Sequence, residues 1–318
     1  EKAPDSAHRD MFINKSGEVI PEMSLYSRSA SGVPGTVDGL IKALADHGSG
    51  KISLRQILAP AIKLAEKGFL LSHYEAQRFN YYKDCYKKND AAAAIFNRKD
   101  GRPWKKGDKL IQSDLAKTLK RIAKYGRDGF YTGHVADLIV AEMKRGNGLI
   151  NHEDLKNYSS IYRDPISGNY KGYELLSMGP PSSGGTLLIN MLNMLENYAL
   201  DSLEWNSSEY IHVITEVERR AYADRAEHMG DPDFWDVPVK MLTSKSYASN
   251  RILGIDLKNA TSSESVFAGK APNYESRETT HYSVVDKWGN AVSVTTTINL
   301  SYGSGHLVKG AGFFLNNE

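Results

Sequence analysis

The stretch SRETTHYSVVDKWGNAVSVTTTIN, residues 276–299, restricts the fold of this chain more than any other segment. At its centre, DKWGN places Asp286 at the first position and Gly289 at the fourth position of a predicted type I turn. Apolar and polar residues alternate on both sides of that turn, which is the pattern of two half-buried strands. We therefore predict a β-hairpin with a three-residue loop, in which Asp286 pairs with Asn290.

The loop length determines which residues face each other across the two strands. Counting outward from the turn places His281 opposite Thr295. Two residues further out, Thr279 falls opposite Thr297. Alternation along the second strand assigns one set of residues to a polar face, namely Ser293, Thr295, Thr297 and Asn299. The other face is expected to be largely core and carries Val292, Val294, Thr296 and Ile298.

The threonine pair allows two interpretations. A surface ribbon would leave its polar face solvated, and the pattern alone is compatible with that. The alternative is an N-terminal nucleophile, which needs a hydroxyl and a free α-amine that acts as its base once the preceding peptide bond is cut. Thr279 would supply both groups, with Thr297 as its cross-strand neighbour.

Composition argues against several classes of function. The chain has 318 residues, of which 41% are hydrophobic and 25% charged, so a sizeable buried core is expected. Its formal net charge is only +2 and no basic run is interleaved with aromatic residues, so we expect no nucleic-acid partner. No apolar run approaches the roughly 20 residues of a membrane span. The single cysteine, Cys85, has no ligand-type neighbours, and we expect neither a metal nor a cofactor.

Most of the chain before the hairpin has the pattern of helices. Apolar residues at helical spacing follow the turn at 33–35, and they follow Ser53, a predicted N-cap. The segment YKGYELLSM, residues 170–178, has the pattern of a strand, and GPPSSGG that of a turn before a buried helix. Helices that precede a strand-rich end indicate mixed α/β layers.

The hairpin also resembles a family signature. The match covers TTHYSVVDKWGNAVSVTTTINLSYG, residues 279–303, and the GAGFFLNNE that ends the printed sequence. This is the signature of the γ-glutamyltransferases, or γ-glutamyl transpeptidases, which belong to the N-terminal-nucleophile hydrolases. Similarity extends to RDMF, ASGVPGTVDGL, PISGNYKGYELLSMGPPSSGG and AYADRAEHMGDPDF, so it spans the chain and indicates the bacterial form.

The resemblance implies a four-layer αββα sandwich, partly incomplete in this chain. It also implies a precursor that cuts itself between Glu278 and Thr279. Residues 1–278 would form the C-terminal part of the large subunit and residues 279–318 the start of the small subunit, within one intertwined domain. The freed Thr279 would take a γ-glutamyl group from glutathione or a related donor as an ester, and pass it to an amino acid, a dipeptide or water.

The same resemblance implies roles for three further residues. Thr297 supports the nucleophile by a hydrogen bond, while Asn299 and Glu318 hold the α-amino end of the glutamyl group. A carboxylate is a suitable partner for an ammonium group. Two other readings stay open, because Thr297 is also compatible with an ordinary cross-strand pair and Asn299 with an ordinary strand end.

Several other polar residues are expected to have structural roles. His281 shares a face with Thr279, but the resemblance gives the role of base to the α-amine. Ser182 and Ser183 are expected in a packed turn rather than in an oxyanion loop. An ion-pair network is expected on the helix that carries Asp224, Arg225 and Glu227.

Parts of the family's site fall outside the printed residues. Its arginine for the substrate carboxylate would immediately precede Glu1, and its acidic ligand, serine pair and oxyanion-hole glycines would follow Glu318. We therefore expect an internal piece of a longer protein that is periplasmic or secreted. The alternatives on the same scaffold are a cephalosporin acylase and a poly-γ-glutamate transferase. Outside enzymes, the alternative is an uncleaved homologue with a binding or scaffold role.

Overall fold

The computed structural model describes residues 2–267 and 280–317. Three residues of the predicted site, Glu278, Thr279 and Glu318, therefore lie outside the described residues. The described part divides into two compact units, one made of 2–161 and 280–317 and the other of 162–267. The predicted subunit boundary also lies outside the described ranges, and it stays a prediction.

Helices dominate the chain before the hairpin, as the sequence indicates. In chain order the α-helices of the described residues are α1 Met23–Tyr26, α2 Thr36–His47, α3 Leu54–Lys67, α4 His73–Tyr81, α5 Lys83–Tyr86, α6 Asp90–Phe96, α7 Ser113–Tyr125, α8 Asp128–Tyr131, α9 Gly133–Lys144, α10 His152–Asn157, α11 Gly184–Leu195, α12 Ser208–His228, α13 Val239–Leu242 and α14 Lys245–Arg251. Short 3₁₀ helices lie at Arg28–Ala30, Leu200–Ser202 and Ile252–Gly254.

The start of α3 shows how side chains set these boundaries. The Ser53 hydroxyl accepts a hydrogen bond from Gln56 N at 3.3 Å, and the Gln56 side chain accepts one from Ser53 N at 2.9 Å. This reciprocal capping box satisfies two backbone N–H groups that the first helical turn cannot use. The predicted N-cap at Ser53 is therefore confirmed.

The strands of the described residues form three antiparallel pairs. They are β1 Phe69–Leu70 with β2 Lys109–Leu110, β3 Ile166–Tyr170 with β4 Tyr173–Ser177, and β5 Thr280–Val285 with β6 Ala291–Thr296. The strand predicted over 170–178 is confirmed as β4, but the prediction missed the partner strand β3, because Lys171 and Gly172 form a two-residue turn with φ angles of 48° and 86°. Positive φ at both positions is the geometry that joins two strands of a tight hairpin.

The first unit contains two hydrophobic clusters, and the chain that follows β6 contributes to both. One cluster surrounds α8 and α9 and includes three residues that are at most 1% exposed, namely Val308, Ala311 and Leu315. The other is largely aromatic and includes Tyr86, Phe96, Tyr302 and Phe314. The segment after the hairpin is therefore part of the core.

Two glycines allow this segment to fold back on itself inside the unit. Leu307 and Phe314 form an antiparallel bridge between its two arms. Gly303 has a φ of 52°, and a Cβ there would overlap the Leu315 carbonyl oxygen. Gly312 has a φ of 81°, and a Cβ there would overlap the backbone of Leu115. Both positions therefore require glycine for two reasons, the backbone conformation and the close approach.

The second unit packs α11 against α12 and α14 around buried apolar residues such as Leu187, Met194, Val217, Ala221 and Ala248. Glu216 on α12 is 1% exposed and pairs with Arg220, with 2.6 Å between the charged atoms. Burial acts to raise the pKa of Glu216, but hydrogen bonds from Thr261 and Arg220 outweigh it and hold the pKa at about 2. These bonds connect α12 to the loop that carries Thr261.

The mixture of helices and antiparallel strands agrees with the predicted α+β class. Among the helices of the described ranges, none is long and apolar enough to cross a membrane.

Candidate active site

The hairpin has the register that the sequence predicts. β5 and β6 pair Thr280 with Thr296 and His281 with Thr295. Directly paired residues point their side chains to the same face of the hairpin, so each face is built from paired residues of β5 and β6. The predicted hairpin register is confirmed over the described pairs.

Asp286 organises the turn between the two strands. Its backbone N donates to Asn290 O at 3.0 Å, and its carboxylate accepts from Asn290 Nδ2 at 2.8 Å and from Trp288 N at 2.9 Å. The hydrogen bond from the Asn290 side chain, together with those from the turn backbone, holds the pKa of Asp286 below its ordinary value. Gly289 takes the left-handed conformation with a φ of 85°, as this loop type requires.

The polar face of the hairpin is a connected set of hydroxyl and imidazole groups. His281 Nδ1 lies 2.8 Å from Thr295 Oγ1, and His281 Nε2 lies 3.0 Å from Ser293 Oγ. Ser283 Oγ lies 3.1 Å from Ser293 Oγ. Both ring nitrogens of His281 therefore have partners within the hairpin, as expected of a histidine with a structural role.

The opposite face differs from the sequence expectation of a core. Val284 is 58% exposed and Val292 is 57% exposed, while Val294 is half-buried. A two-stranded sheet buries a face only where another layer covers it, and β5 and β6 pair only with each other in the described ranges. The prediction of a largely buried valine face is therefore wrong for the described residues.

The residues become more buried where β6 ends. Thr295 is exposed, whereas Thr297 and Asn299 are half-buried. Thr297 Oγ1 accepts a hydrogen bond from Asn299 N at 2.8 Å, and Asn299 has a φ of 69°. Asparagine is among the few side chains that adopt this left-handed conformation readily. The structure thus brings two of the predicted site residues into one hydrogen-bonded turn.

Asn317 holds this turn from the other arm of the segment. Asn299 Nδ2 donates to Asn317 O at 2.8 Å, and Leu300 N donates to Asn317 Oδ1 at 3.2 Å. Asn317 is 3% exposed, and its Nδ2 donates to Leu25 O at 3.0 Å. Asn299 is therefore connected to the residue that immediately precedes Glu318 in the sequence.

Asn316 connects the same arm to the loop before α2. Gly32 N donates to Asn316 Oδ1 at 2.8 Å, and Asn316 Nδ2 donates to Gly32 O at 3.1 Å. Ser31 Oγ donates to Asn316 O at 2.8 Å. Asn316 and Asn317 are two adjacent amides after the apolar FFL, a local signal that the sequence predictions did not capture.

The two groups of residues expected to be structural lie in the second unit. Ser183 Oγ accepts from Arg225 Nε at 3.0 Å in the turn that leads into α11, so the predicted packed turn is confirmed. Asp224 has the expected ion pair, but its partner is Arg251 of α14, at 3.0 Å, rather than a neighbour on its own helix. Asp224 also accepts from the Tyr247 hydroxyl at 2.8 Å.

Residues 2–267 and 280–317 contain no group of three or more His, Cys, Asp or Glu side chains arranged to hold a metal ion. Cys85 is a half-buried free thiol. The described residues of the predicted site, Thr297 and Asn299, present a hydroxyl and an amide group.

Comparisons with known proteins agree with this architecture. The family model described as gamma-glutamyltranspeptidase matches residues 1–318. The glutathione hydrolase proenzyme of Escherichia coli strain K12 is 44% identical over the whole of this chain, which spans 54% of that relative. The solved gamma-glutamyltranspeptidase of Helicobacter pylori is 42% identical and superposes with a TM-score of 0.80, over 85% of this chain and 76% of that one.

A second kind of relative is also similar over nearly the whole chain. The acylase ACY 1 proenzyme of Pseudomonas sp. strain SE83 is 36% identical over 99% of this chain, which spans 56% of that protein. The chain therefore spans about half the length of the curated relatives it matches. Its similarity to the solved Helicobacter structure confirms the predicted fold of the N-terminal-nucleophile hydrolases. The chain belongs to the γ-glutamyltranspeptidase family.

Proposed function

We propose that the full-length protein is a γ-glutamyltransferase and glutathione hydrolase whose nucleophile is Thr279. The observation that carries the proposal is the confirmed hairpin register. Continued by one pair beyond Thr280 and Thr296, that register predicts Thr279 opposite Thr297. The half-buried end of β6, with Thr297 and Asn299 in one turn, supports a site at this end of the hairpin rather than at its exposed tip.

Maturation would use the same hydroxyl as turnover. Thr279 Oγ attacks the carbonyl carbon of Glu278, the peptide bond to the Thr279 nitrogen breaks, and water hydrolyses the resulting ester. The products are a large subunit that ends at Glu278 and a small subunit that begins with the free amine of Thr279. The word proenzyme in the names of the relatives supports such a precursor.

In turnover, the free α-amine of Thr279 accepts the proton of its own hydroxyl as Oγ attacks the γ-carbonyl of the donor. The γ-amide bond breaks, the leaving amine takes that proton, and the γ-glutamyl group stays on Thr279 as an ester. An amino acid, a dipeptide or water then attacks the ester and restores the hydroxyl. Every step uses groups of the chain and its substrates, so the proposal includes no cofactor.

Asn299 and Glu318 would recognise the α-ammonium group of the donor. The bond from Asn299 to the carbonyl of Asn317 supports this pairing, because it places the amide one residue from Glu318 along the chain. A charge-assisted contact of this kind contributes about 1.5 to 3 kcal/mol.

We propose a periplasmic or secreted location for the full-length protein, as the family resemblance suggests.

A related acylase is the second candidate, and the ACY 1 relative at 36% identity favours it. The two functions differ in the acyl group, since a γ-glutamyl donor carries an α-ammonium and a glutaryl donor does not. Matched p-nitroanilides of γ-glutamate and glutarate therefore distinguish them. A preference for the glutaryl compound would favour the acylase.

Intact-mass measurement and N-terminal sequencing of the purified full-length protein test the proposed nucleophile. We expect a fragment that begins at Thr279, and we expect Thr279→Ala to remain one uncleaved, inactive chain. A fragment with another first residue, or wild-type activity in Thr279→Ala, would remove the basis of the mechanism.

The role of Glu318 is tested on the same pair of donors. Glu318→Ala should lower kcat/KM for the γ-glutamyl donor by about 10- to 150-fold, because one charge-assisted contact is lost. The glutaryl donor has no ammonium group, so wild type and variant should use it about equally poorly. An equal loss on both donors would mean that Glu318 acts through folding or maturation.

A further inference from the structure

The side chains of Asn316 and Asn317, which we call the asparagine pair, form hydrogen bonds with backbone groups at three places in the chain. Their side chains bond the backbone of Leu25, Gly32 and Leu300. Leu25 and Gly32 lie more than 280 residues before their asparagine partners in the sequence. A pair placed in this way determines where residues 316 and 317 lie relative to the turn at Asn299.

Asn317 holds the turn at Asn299 through hydrogen bonds to Asn299 and Leu300. Its Oδ1 accepts from Leu300 N at 3.2 Å, its backbone O accepts from Asn299 Nδ2 at 2.8 Å, and its Nδ2 donates to Leu25 O at 3.0 Å. The residue is 3% exposed, so water cannot easily replace a lost partner. Asn317 thus holds the backbone after Asn299 through its side chain, and it holds the Asn299 amide through its main-chain carbonyl.

Asn316 fixes the position of its neighbour Asn317. It makes a two-bond amide contact with the backbone of Gly32, at 2.8 and 3.1 Å, which resembles one rung of a β-ladder. Gly32 belongs to the ASGVPG segment, which ends at Gly35 just before α2 begins. A shift of this segment would move Asn316, and Asn317 with it.

We propose that the asparagine pair consists of positioning residues for donor recognition. The side chains of Asn316 and Asn317 bond backbone groups, and through these bonds they hold the turn at Asn299 against the segment that contains Asn316 and Asn317. The ASGVPG segment then has a role in donor specificity through its contact with Asn316. This inference rests on the proposed function, because it assumes that Asn299 and Glu318 bind the α-ammonium group.

The test compares Asn317→Ala, Asn316→Ala and Asn299→Ala in the full-length protein on the γ-glutamyl and glutaryl p-nitroanilides. We expect each asparagine-pair variant to lower kcat/KM for the γ-glutamyl donor by about 10-fold or more, mainly through KM, because an Asn299 that is no longer held in place bonds the charged ammonium group less well. The glutaryl reaction should change by less than about 3-fold, because it does not use the ammonium contact.

Asn193→Ala is the matched control. Asn193 is also a buried asparagine, 4% exposed, and its Nδ2 donates to a backbone carbonyl, that of Thr243, at 2.7 Å. It lies on α11 in the second unit. Its replacement should lower thermal stability as much as the asparagine-pair variants do, and leave the ratio of the two donors unchanged.

The outcomes separate this inference from the proposed function. If wild type does not prefer the γ-glutamyl donor, or Asn299→Ala keeps that preference, the proposed ammonium site is wrong. If Asn299→Ala loses the preference while Asn316→Ala and Asn317→Ala keep it, only the positioning role is wrong. Equal losses on both donors in the asparagine-pair variants would also overturn it. Should Asn317→Ala fail to fold, the partly exposed Asn316→Ala decides the question alone.

Discussion

The hydroxyl of Thr297 is the group whose removal tests the site most directly. Thr297→Val keeps the β-branched shape that suits the strand end and deletes the oxygen that accepts from Asn299 N at 2.8 Å. The half-buried Asn299 N–H then loses this acceptor, and its left-handed turn loses a constraint. We expect both maturation and turnover to slow, because the predicted hydrogen bond to Thr279 is lost in the same change.

The size of the effect follows from that geometry. The loss of a hydrogen bond by a half-buried donor costs about 1 to 2 kcal/mol, which corresponds to about 5- to 30-fold in rate. Gel densitometry of freshly produced precursor gives the maturation rate, and p-nitroaniline release by the matured fraction gives the turnover. Thr297→Ser keeps the oxygen, so it should stay within about 5-fold of wild type.

Thr295→Val is the matched control, since Thr295 lies on the same face two residues earlier and bonds His281 at 2.8 Å in an exposed position. It should mature and turn over within about 2-fold of wild type, because exposed hydrogen bonds exchange readily with water. The reasoning is refuted if Thr297→Val matures at the wild-type rate. It is also refuted if Thr295→Val slows both processes as much as Thr297→Val does.

Two further predictions concern stability. The folded pKa of Glu216 is about 2 against an ordinary 4.5, so its contribution is present above pH 4.5 and lost as the pH falls towards 2. Urea unfolding at pH 7 and pH 3 should show a loss of about 2 kcal/mol from this group in wild type, because part of its contribution remains at pH 3, and Glu216→Gln should remove that loss. Gly303→Ala should cost about 2 to 5 kcal/mol, because a Cβ there meets the Leu315 carbonyl. Gly289→Ala, with a φ of 85° and open space around it, should cost only about 1 kcal/mol by thermal denaturation.

The parts of the structure that the sequence predicts well are those governed by local chemistry. The DKWGN turn specifies its own loop length through Asp286 and Gly289, and the strand register follows from that length. The cap at Ser53 is equally local, since its partner Gln56 lies three residues away. The missed hairpin at Lys171 and Gly172 has a local signal as well, but a lysine at positive φ is an uncommon form of it.

Burial could not be predicted in the same way, because it depends on what lies across a face. Alternation shows that Val284 and Val292 share a side of the hairpin, and it says nothing about whether another layer covers that side. The contact between Asn316 and Gly32 could not be predicted from the sequence either. It joins residues 284 positions apart, and neither flanking pattern identifies the other.

The length of the family signature has a geometric explanation in this structure. Only Thr297 and Asn299 of the described signature residues have proposed contacts with reacting groups, yet the matching sequence continues through SYG and GAGFF to the asparagine pair. The bond from Asn299 to Asn317 spans 18 residues, so the intervening chain has to leave the hairpin, enter the core and return. Gly303 and Gly312 permit that path where a side chain would overlap backbone, and Val308 secures it by complete burial. These glycines and apolar residues therefore bring Asn317 beside the end of β6, and the site depends on them although they carry none of its chemistry.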